Sequence, residues 1–260
     1  MDFYFHTVAV LAGLAIGSFL NCLIWRLYRE EGVGGRSYCP ICRTTLAWHD
    51  NIPLLSFIRL KGRCRSCREK ISWQYPLVEL VTAVLVWLVW SRHQELAKQF
   101  DFVLAVSLIR ELLLVIFAVV IFVYDLRWQL VPVTFILVMG ILLFLTGLLA
   151  GASLLVMLFY GCIGGVFFLM QYWLTNKRGI GEGDIWLGVF LGLAFPSWEQ
   201  LLVLMVVSYG LGSVISIPML VANKKGWKSA VPLGPFLMAG AVTVLFFGYH
   251  LAQIFFGSGY

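Results

Sequence analysis

The sequence predicts an all-α polytopic integral membrane protein with about eight transmembrane helices and one small extramembrane domain between the first and second helices. The first observation is composition: of 260 residues, 61% are hydrophobic and 12% are charged, whereas soluble domains have about 45–50% apolar and about 25% charged residues. The second is a series of long apolar runs, and the third is the one-sided distribution of Lys and Arg. Together they exclude a soluble globular protein, a disordered chain and a fibre.

Each candidate helix is an apolar run, and its length is compared with the roughly 20 residues that a helix needs to cross a bilayer. Six runs meet that length, while those at 77–90 and 185–195 are shorter. In chain order the eight runs are 3–25, 77–90, 102–124, 128–149, 154–175, 185–195, 201–222 and 231–256.

The basic residues test this count. If the N-terminus is outside and all eight runs cross, 16 of the 19 Lys and Arg residues lie inside, Arg92 and Lys98 lie outside, and Arg110 lies within a span. Such an excess is what the positive-inside rule expects. If the run at 185–195 did not cross, the three lysines within 224–228 would fall outside. The charges therefore favour eight crossings.

This topology divides the chain into three parts. Residues 1–25 form the first transmembrane helix, residues 26–75 form a cytosolic domain, and residues 76–260 form a seven-helix transmembrane core. The middle part is strongly basic and contains four of the six cysteines. We therefore expect it to be the part of the chain that a metal or disulfides stabilise.

The four cysteines form two C-x2-C pairs, Cys39 with Cys42 and Cys64 with Cys67. The 21 residues between the pairs slightly exceed the roughly 15–20 that are usual for zinc sites. Two such turns complete a tetrahedral site of four sulfurs, and two disulfides are the alternative. Because cytosolic thiols stay reduced, the predicted location favours zinc. Four Cys ligands leave no coordination position for a substrate, so this zinc is expected to be structural.

Two aspartates are predicted to lie at the same membrane face. Asp125 ends the third apolar run, and Asp184 precedes the sixth in the stretch Gly181-Glu182-Gly183-Asp184. Two carboxyl groups that share a site cannot both ionise readily. One can then activate water as a base while the other polarises a peptide carbonyl as an acid. The glycines leave room for an extended substrate backbone.

Other interpretations of the aspartates remain open at this point. Both can be helix-end residues that face water, with Asp184 favourably placed at a helix N-terminus. Both can also relay protons in a proton-coupled transporter, although transporters usually place such groups near the bilayer midplane. Spacing alone does not decide between these interpretations.

The chain contains an ordered set of motifs: GSFLN at 17–21, the two Cys pairs, NIP at 51–53, YPLVE at 75–79, GEGD at 181–184 and PLGPF at 232–236. This set resembles that of the type IV prepilin leader peptidases over nearly the whole chain. It implies that Asp125 and Asp184 are catalytic, with Gly181 and Gly183 supporting the second aspartate. A general GxGD protease is a further alternative, which the Cys pairs and the NIP stretch disfavour. A zinc-anchored scaffold without catalysis is another, and it predicts that Asp125→Asn and Asp184→Asn are both silent.

The resemblance further implies a bifunctional enzyme of the bacterial inner membrane. Members cut the short basic leader from prepilins or pseudopilins at the cytosolic face, after a Gly, and methylate the new N-terminal amine with S-adenosylmethionine. The expected partners are prepilin substrates and the lipid bilayer, without nucleic acid. No residues for the methyl donor are evident from the sequence.

This chain departs from the family pattern near both aspartates. The family usually has a Lys two residues after GxGD, where this chain has Trp186. It usually has a second acidic residue and a Pro-Asp pair after the first aspartate, where this chain has Arg127 and Val131-Pro132-Val133. Any contact that the Lys makes, such as one to a substrate carboxylate, is therefore in question here.

Overall fold

The computed structural model describes residues 2–177, 180–221 and 232–257, and outside the loop at 30–73 these ranges are mostly helical. The helices are α1 (Asp2–Arg29), α2 (Leu55–Arg59), α3 (Gln74–Arg92), α4 (Phe102–Trp128), α5 (Val133–Leu149), α6 (Leu154–Leu174), α7 (Glu182–Ala194), α8 (Trp198–Val221) and α9 (Gly234–Phe256). Within these ranges there are two isolated β-bridges and no β-strand. The predicted all-α class is confirmed.

Each of the eight predicted runs corresponds to a helix. Among the described residues, six helices are long and apolar enough to span a membrane: α1, α3, α4, α6, α8 and α9. The other two are shorter, with 17 residues in α5 and 13 in α7. The chain is thus a multi-pass membrane protein, while the count of eight crossings stays a prediction. The predicted ends at 222 and 231 lie outside the described residues.

Several helix boundaries differ from the predicted ones, and for the starts of α5 and α7 the local reason is visible. Helix α5, the fourth predicted run, begins at Val133 rather than at residue 128, because Gln129 has a φ of 54° and Pro132 directly precedes the helix. A left-handed residue interrupts the helical backbone, and proline favours a helix start. Helix α7, the sixth predicted run, begins at Glu182 rather than at residue 185, so the GEGD stretch forms its start.

The chain forms two compact units, and the first is Met1–Leu108. In it, α1 packs against α3 through glycines on α1. A Cβ added at Gly13 would lie 2.6 Å from Cα of Ala83, and one at Gly17 would lie 2.7 Å from Cα of Glu79. Small residues therefore permit the close approach, as is common between membrane helices. The division of the chain at residue 76 stays a prediction.

Polar side chains near the ends of α1 and α3 hold the loop between them. The backbone N–H of Leu54 donates to Oε2 of Glu79 at 2.8 Å, and Nδ2 of Asn21 donates to the carbonyl oxygen of Tyr75 at 3.1 Å. Glu79 and Asn21 are both buried. The GSFLN, NIP and YPLVE stretches thus meet in one polar cluster that anchors the loop.

The second unit, Ile109–Tyr260, has its core around the short helix α7. Leu187, Phe190 and Leu191 of this helix are fully buried, and the ring of Phe190 stacks on Phe117 of α4 with 3.5 Å between centroids. Helices α5, α6 and α9 pack against α7, and α8 packs against α9. The position of α7 is therefore fixed from several sides.

Arg110 of α4 contacts the C-terminal end of α7. Its Nη2 donates to the carbonyl oxygens of Leu193 at 3.1 Å and Ala194 at 2.8 Å. The last carbonyl groups of a helix have no intrahelical donor, and a cation is favourable there. This intramembrane arginine therefore fixes one end of the helix that begins beside Asp184.

Candidate active site and metal centre

Asp125 lies in the last turn of α4 and is 5% exposed. Its Oδ2 accepts a hydrogen bond from the backbone N–H of Gly234 at 2.8 Å. Gly234 is the first residue of α9, where backbone N–H groups have no intrahelical acceptor and attract negative charge. The start of one helix thus orients the carboxyl group at the end of another.

This contact requires glycine at position 234. A Cβ added there would lie 2.5 Å from Oδ2 of Asp125, which is too close for any side chain. The PLGPF stretch was singled out from the sequence without a role for any of its residues. The contact joins positions 109 residues apart, and no local sequence signal predicts it.

Asp184 is the third residue of α7 and is 8% exposed. Its Oδ2 accepts the backbone N–H of Gly181 at 3.1 Å, and its own N–H donates to the carbonyl oxygen of Gly181 at 3.1 Å. These reciprocal bonds close the first turn, and the helix N-terminus favours a carboxylate. Both predicted aspartates therefore lie at helix ends and accept a backbone N–H through Oδ2.

The two motif glycines differ in what they contribute. A Cβ added at Gly183 would lie 2.5 Å from Cβ of Val131, so this glycine permits close packing of α7 on the segment before α5. At Gly181 the nearest atom would be Oδ2 of Asp184, at 3.7 Å, which is an ordinary contact. Gly181 acts through its N–H group, and space for substrate at these glycines stays a prediction.

The fold brings the two aspartates together within the second unit. Their carboxyl groups are close enough to interact electrostatically, although 59 residues separate them in the sequence. Both are more than nine-tenths buried. A pair of buried carboxyl groups close enough to interact electrostatically is suited to acid–base chemistry, because only one of them ionises readily.

Two tyrosines add polar groups near Asp184. The hydroxyl of Tyr209 in α8 donates to Oε1 of Gln171 at 2.8 Å and is close enough to Asp184 to interact with its charge. The hydroxyl of Tyr172 donates to Oε1 of Glu182 at 2.7 Å. Sequence reasoning missed Tyr209, the one tyrosine in a largely apolar run that also contains Ser208, Ser213 and Ser216.

Trp186, which stands where the family has Lys, faces away from the aspartate pair. Two residues of an α-helix turn by about 200°, so Trp186 lies on the opposite side of α7 from Asp184. It is 43% exposed and lines an apolar cleft of about 200 Å³ together with Gly140 of α5 and Phe190. The departure from the family pattern therefore lies on an apolar surface of the helix, on the side opposite to the carboxyl group of Asp184.

The four cysteines of the two C-x2-C pairs form one cluster. Their sulfur atoms all lie within 4.8 Å of one another, and all of them are free thiols. With Zn–S bonds of about 2.3 Å, a tetrahedral site places its sulfurs about 3.8 Å apart, and Sγ of Cys39 lies 3.9 Å from Sγ of Cys67. The cluster thus fits a four-sulfur zinc site and not a pair of disulfides.

Two similar hairpins present these thiols. The N–H of Cys39 donates to the carbonyl of Thr44 at 3.0 Å, and the N–H of Cys64 donates to that of Glu69 at 2.8 Å. Each hairpin turns through a left-handed arginine, Arg43 with a φ of 57° and Arg68 with a φ of 61°.

The chemistry of one thiol also suits metal binding. Hydrogen bonding with Thr44 lowers the pKa of Cys42 to about 6, which favours its thiolate form. Zinc binds the thiolate form of cysteine.

Comparison with known proteins identifies the family. Residues 11–93 match the bacterial peptidase A24 N-terminal domain, and residues 112–217 match the type IV leader peptidase family. A prepilin leader peptidase/N-methyltransferase of Aeromonas hydrophila is 33% identical over 94% of this chain and 92% of its own length. The chain belongs to the type IV leader peptidase family.

Other relatives agree with this assignment. A prepilin leader peptidase/N-methyltransferase of Myxococcus xanthus is 35% identical over 84% of this chain and 64% of its own length. A type 4 prepilin-like proteins leader peptide-processing enzyme of Escherichia coli is 34% identical over 92% and 93% of the two chains. No solved structure gives a significant match. Membership in this enzyme family gives no support to the transporter interpretation.

Proposed function

We propose that this chain is an aspartyl peptidase that removes the leader peptide of type IV prepilins or pseudopilins and then methylates the new N-terminus with S-adenosylmethionine. The observation that carries the proposal is the pair of buried carboxyl groups, Asp125 and Asp184, that the fold of this family member brings together. Relatives with the same two named activities support both halves of the proposal.

Cleavage follows from the way in which the two carboxyl groups are held. One group is ionised and takes a proton from a water molecule, whose oxygen attacks the scissile carbonyl carbon. The protonated partner donates to the carbonyl oxygen, and the leaving amine later receives a proton. The N–H groups of Gly234 and Gly181 bind Oδ2 of each carboxyl, so we assign Oδ1 of each to water and peptide. Either aspartate can be the base, since a coupled pair titrates as a unit.

The proposed topology places this chemistry at the cytosolic face of a bacterial inner membrane. The N-terminus is outside, residues 1–25 cross first, the zinc domain at 26–75 is cytosolic, and residues 76–260 form the peptidase core. A prepilin offers a basic leader followed by a hydrophobic helix. That helix lies in the bilayer and brings the leader junction to the interface.

Zinc and S-adenosylmethionine have different parts in the proposal. Cys39, Cys42, Cys64 and Cys67 hold a structural zinc ion that stabilises a domain with few buried residues. S-adenosylmethionine supplies the methyl group when it is bound.

Mass spectrometry of a prepilin after incubation with the purified chain tests the proposal. With S-adenosylmethionine present, we expect the leader to be removed and one methyl group to be added to the new N-terminal residue. Without it, we expect cleavage alone. A series of prepilins and pseudopilins that all remain uncut would contradict the proposed peptidase activity.

A further inference from the structure

The loop between α1 and α3 exposes large apolar side chains around the short helix α2. Leu55 and Ile58 of α2 are 64% and 71% exposed, and Trp73, which directly precedes α3, is 70% exposed. Leu55 and Ile58 are three residues apart and therefore lie on one side of the helix. The ring of Phe57 contacts that of Trp73 with 5.0 Å between centroids, which places α2 beside the start of α3. We call Leu55, Ile58 and Trp73 the α2 surface.

The length of α3 locates the membrane boundary next to this surface. The helix has 19 residues and is apolar enough to span a membrane. At 1.5 Å per residue it is about 28 Å long, which is close to the roughly 30 Å of a hydrocarbon core. Its first turn therefore lies at the boundary. Asn21 of α1 lies at the same level, because its Nδ2 donates to the carbonyl oxygen of Tyr75 at 3.1 Å.

The segment that leads into α2 contacts both helices on the membrane side of this boundary. The N–H of Leu54 donates to Oε2 of Glu79 at 2.8 Å, and Oγ of Ser18 donates to the carbonyl oxygen of Asn51 at 3.4 Å. Both helix residues lie about 5 Å deeper along the helix axes than the hydrogen bond at Tyr75. A backbone N–H at membrane depth needs a partner within the protein, and Glu79 supplies it. The start of α2 therefore lies at the depth of the upper acyl chains.

Basic side chains directly follow the apolar ones. Arg59 and Lys61 are exposed, and the stretch 59–70 contains six basic residues and one acidic residue. Long basic side chains lay their apolar stems along apolar surface and extend their charges to the lipid headgroups. Tryptophan is enriched at the same level of the membrane. The α2 surface and its flanking charges thus match the headgroup boundary of a phospholipid layer.

The lipid-facing side of α3 is continuous with this surface. Leu77, Leu80 and Val84 are exposed on α3 and are spaced by three or four residues, so they lie along one side of the helix. Trp73 has helical backbone angles and precedes Leu77 by four residues, so it extends the same stripe. A surface that continues a lipid-facing stripe favours lipid over a protein partner.

We propose that α2 lies in the boundary layer of the phospholipid bilayer, with Leu55 and Ile58 among the upper acyl chains, Trp73 at the headgroups, and Arg59 and Lys61 at lipid phosphates. The bilayer then holds the loop domain at a point separate from the two helices that cross it. This attachment depends on neither the peptidase activity nor the methylation proposed above.

Fluorescence quenching of the full-length chain in lipid nanodiscs tests this attachment. A fluorescent non-canonical amino acid, excited at a longer wavelength than tryptophan, replaces Ile58, and the bilayer contains lipid with brominated acyl chains. We expect the label to lose most of its fluorescence, because bromine quenches only at close approach. The matched control is the same label at Val33, an exposed apolar residue four residues beyond the end of α1, where the fluorescence should be retained.

A second readout uses substitutions on the same surface. With the label at Leu55, Ile58→Asp should reduce the quenching, because a carboxylate at the depth of the acyl chains is costly. Val33→Asp should leave it unchanged. Each labelled chain is compared with the native chain by its unfolding temperature, and position 55 provides the first test as well if a label at position 58 lowers that temperature.

The outcomes distinguish lipid from protein partners. Equal quenching of labels at positions 58 and 33 would overturn the proposal. Photo-crosslinking from position 58 to a second copy of the chain would overturn it too, because the surface would then be a dimer interface. Loss of the quenching when a prepilin is added would assign the surface to the apolar helix of the substrate instead.

Discussion

At the scale of single residues, the candidate site depends on contacts between backbone N–H groups and carboxyl oxygens. Gly234 and Gly181 each donate to Oδ2 of one aspartate. The aspartates themselves could be predicted from the sequence, because carboxylates beside apolar runs are rare. The role of Gly234 could not be predicted, because its partner lies 109 residues away and belongs to another helix.

Gly234→Ala should therefore reduce cleavage strongly while the chain still folds. The added methyl group would lie 2.5 Å from Oδ2 of Asp125, and a displacement of about 1 Å in a catalytic group can lower the rate about 100-fold. Initial rates of prepilin cleavage provide the measurement.

Gly210→Ala is the matched control for that substitution. Gly210 lies in α8, and a Cβ added there meets no atom within 4 Å, so its rate should equal that of the native chain. Equal rates for Gly234→Ala and the control would show that the contact with Asp125 is unimportant.

At the scale of elements, the sequence predicts the helices well and their ends less well. Apolar runs identify α1 and α3 to α9 because lipid-facing helices need apolar side chains along their length. The start of α5 was misplaced, since the run continues through Gln129 and Pro132 while the backbone does not. The cysteine pairs predicted the metal cluster because C-x2-C spacing fixes the local geometry.

Arg110→Met should lower the thermal stability of the chain. The substitution removes the donor to the carbonyl oxygens of Leu193 and Ala194, and loss of a charged hydrogen bond in a buried setting costs about 2 kcal/mol. Unfolding temperature in detergent is the measurement. Arg127→Met, at an exposed arginine on the same helix, should have a smaller effect, and equal effects would argue against the role given to Arg110.

The metal centre should contain about one zinc ion per chain, as expected for four thiolates in tetrahedral array. Metal analysis of the purified protein measures this directly. Cys64→Ser should release the ion, because it removes a buried member of the cluster. Cys22→Ser and Cys162→Ser, which lie outside the cluster, should retain it. Loss of zinc from all three variants, or its absence from the native chain, would contradict the assignment.

At the scale of the whole molecule, the account requires eight crossings although α7 has 13 residues. Reporter fusions can test this. A reporter fused within 94–97 should lie outside the cytosol, and a reporter fused within 224–228 should lie in the cytosol. If α7 does not cross, the second fusion will report the outside, and the three lysines there will break the positive-inside pattern.

The central claim is that Asp125 and Asp184 together perform the cleavage. The most direct measurement is the cleavage rate of a prepilin by Asp125→Asn and Asp184→Asn, beside Asp101→Asn at the opposite end of α4. Asn keeps the shape of each side chain but cannot act as the base. Both site variants should therefore be inactive although they unfold at the same temperature as the native chain, and the control should cleave normally. Substantial cleavage by either site variant would contradict the two-aspartate mechanism.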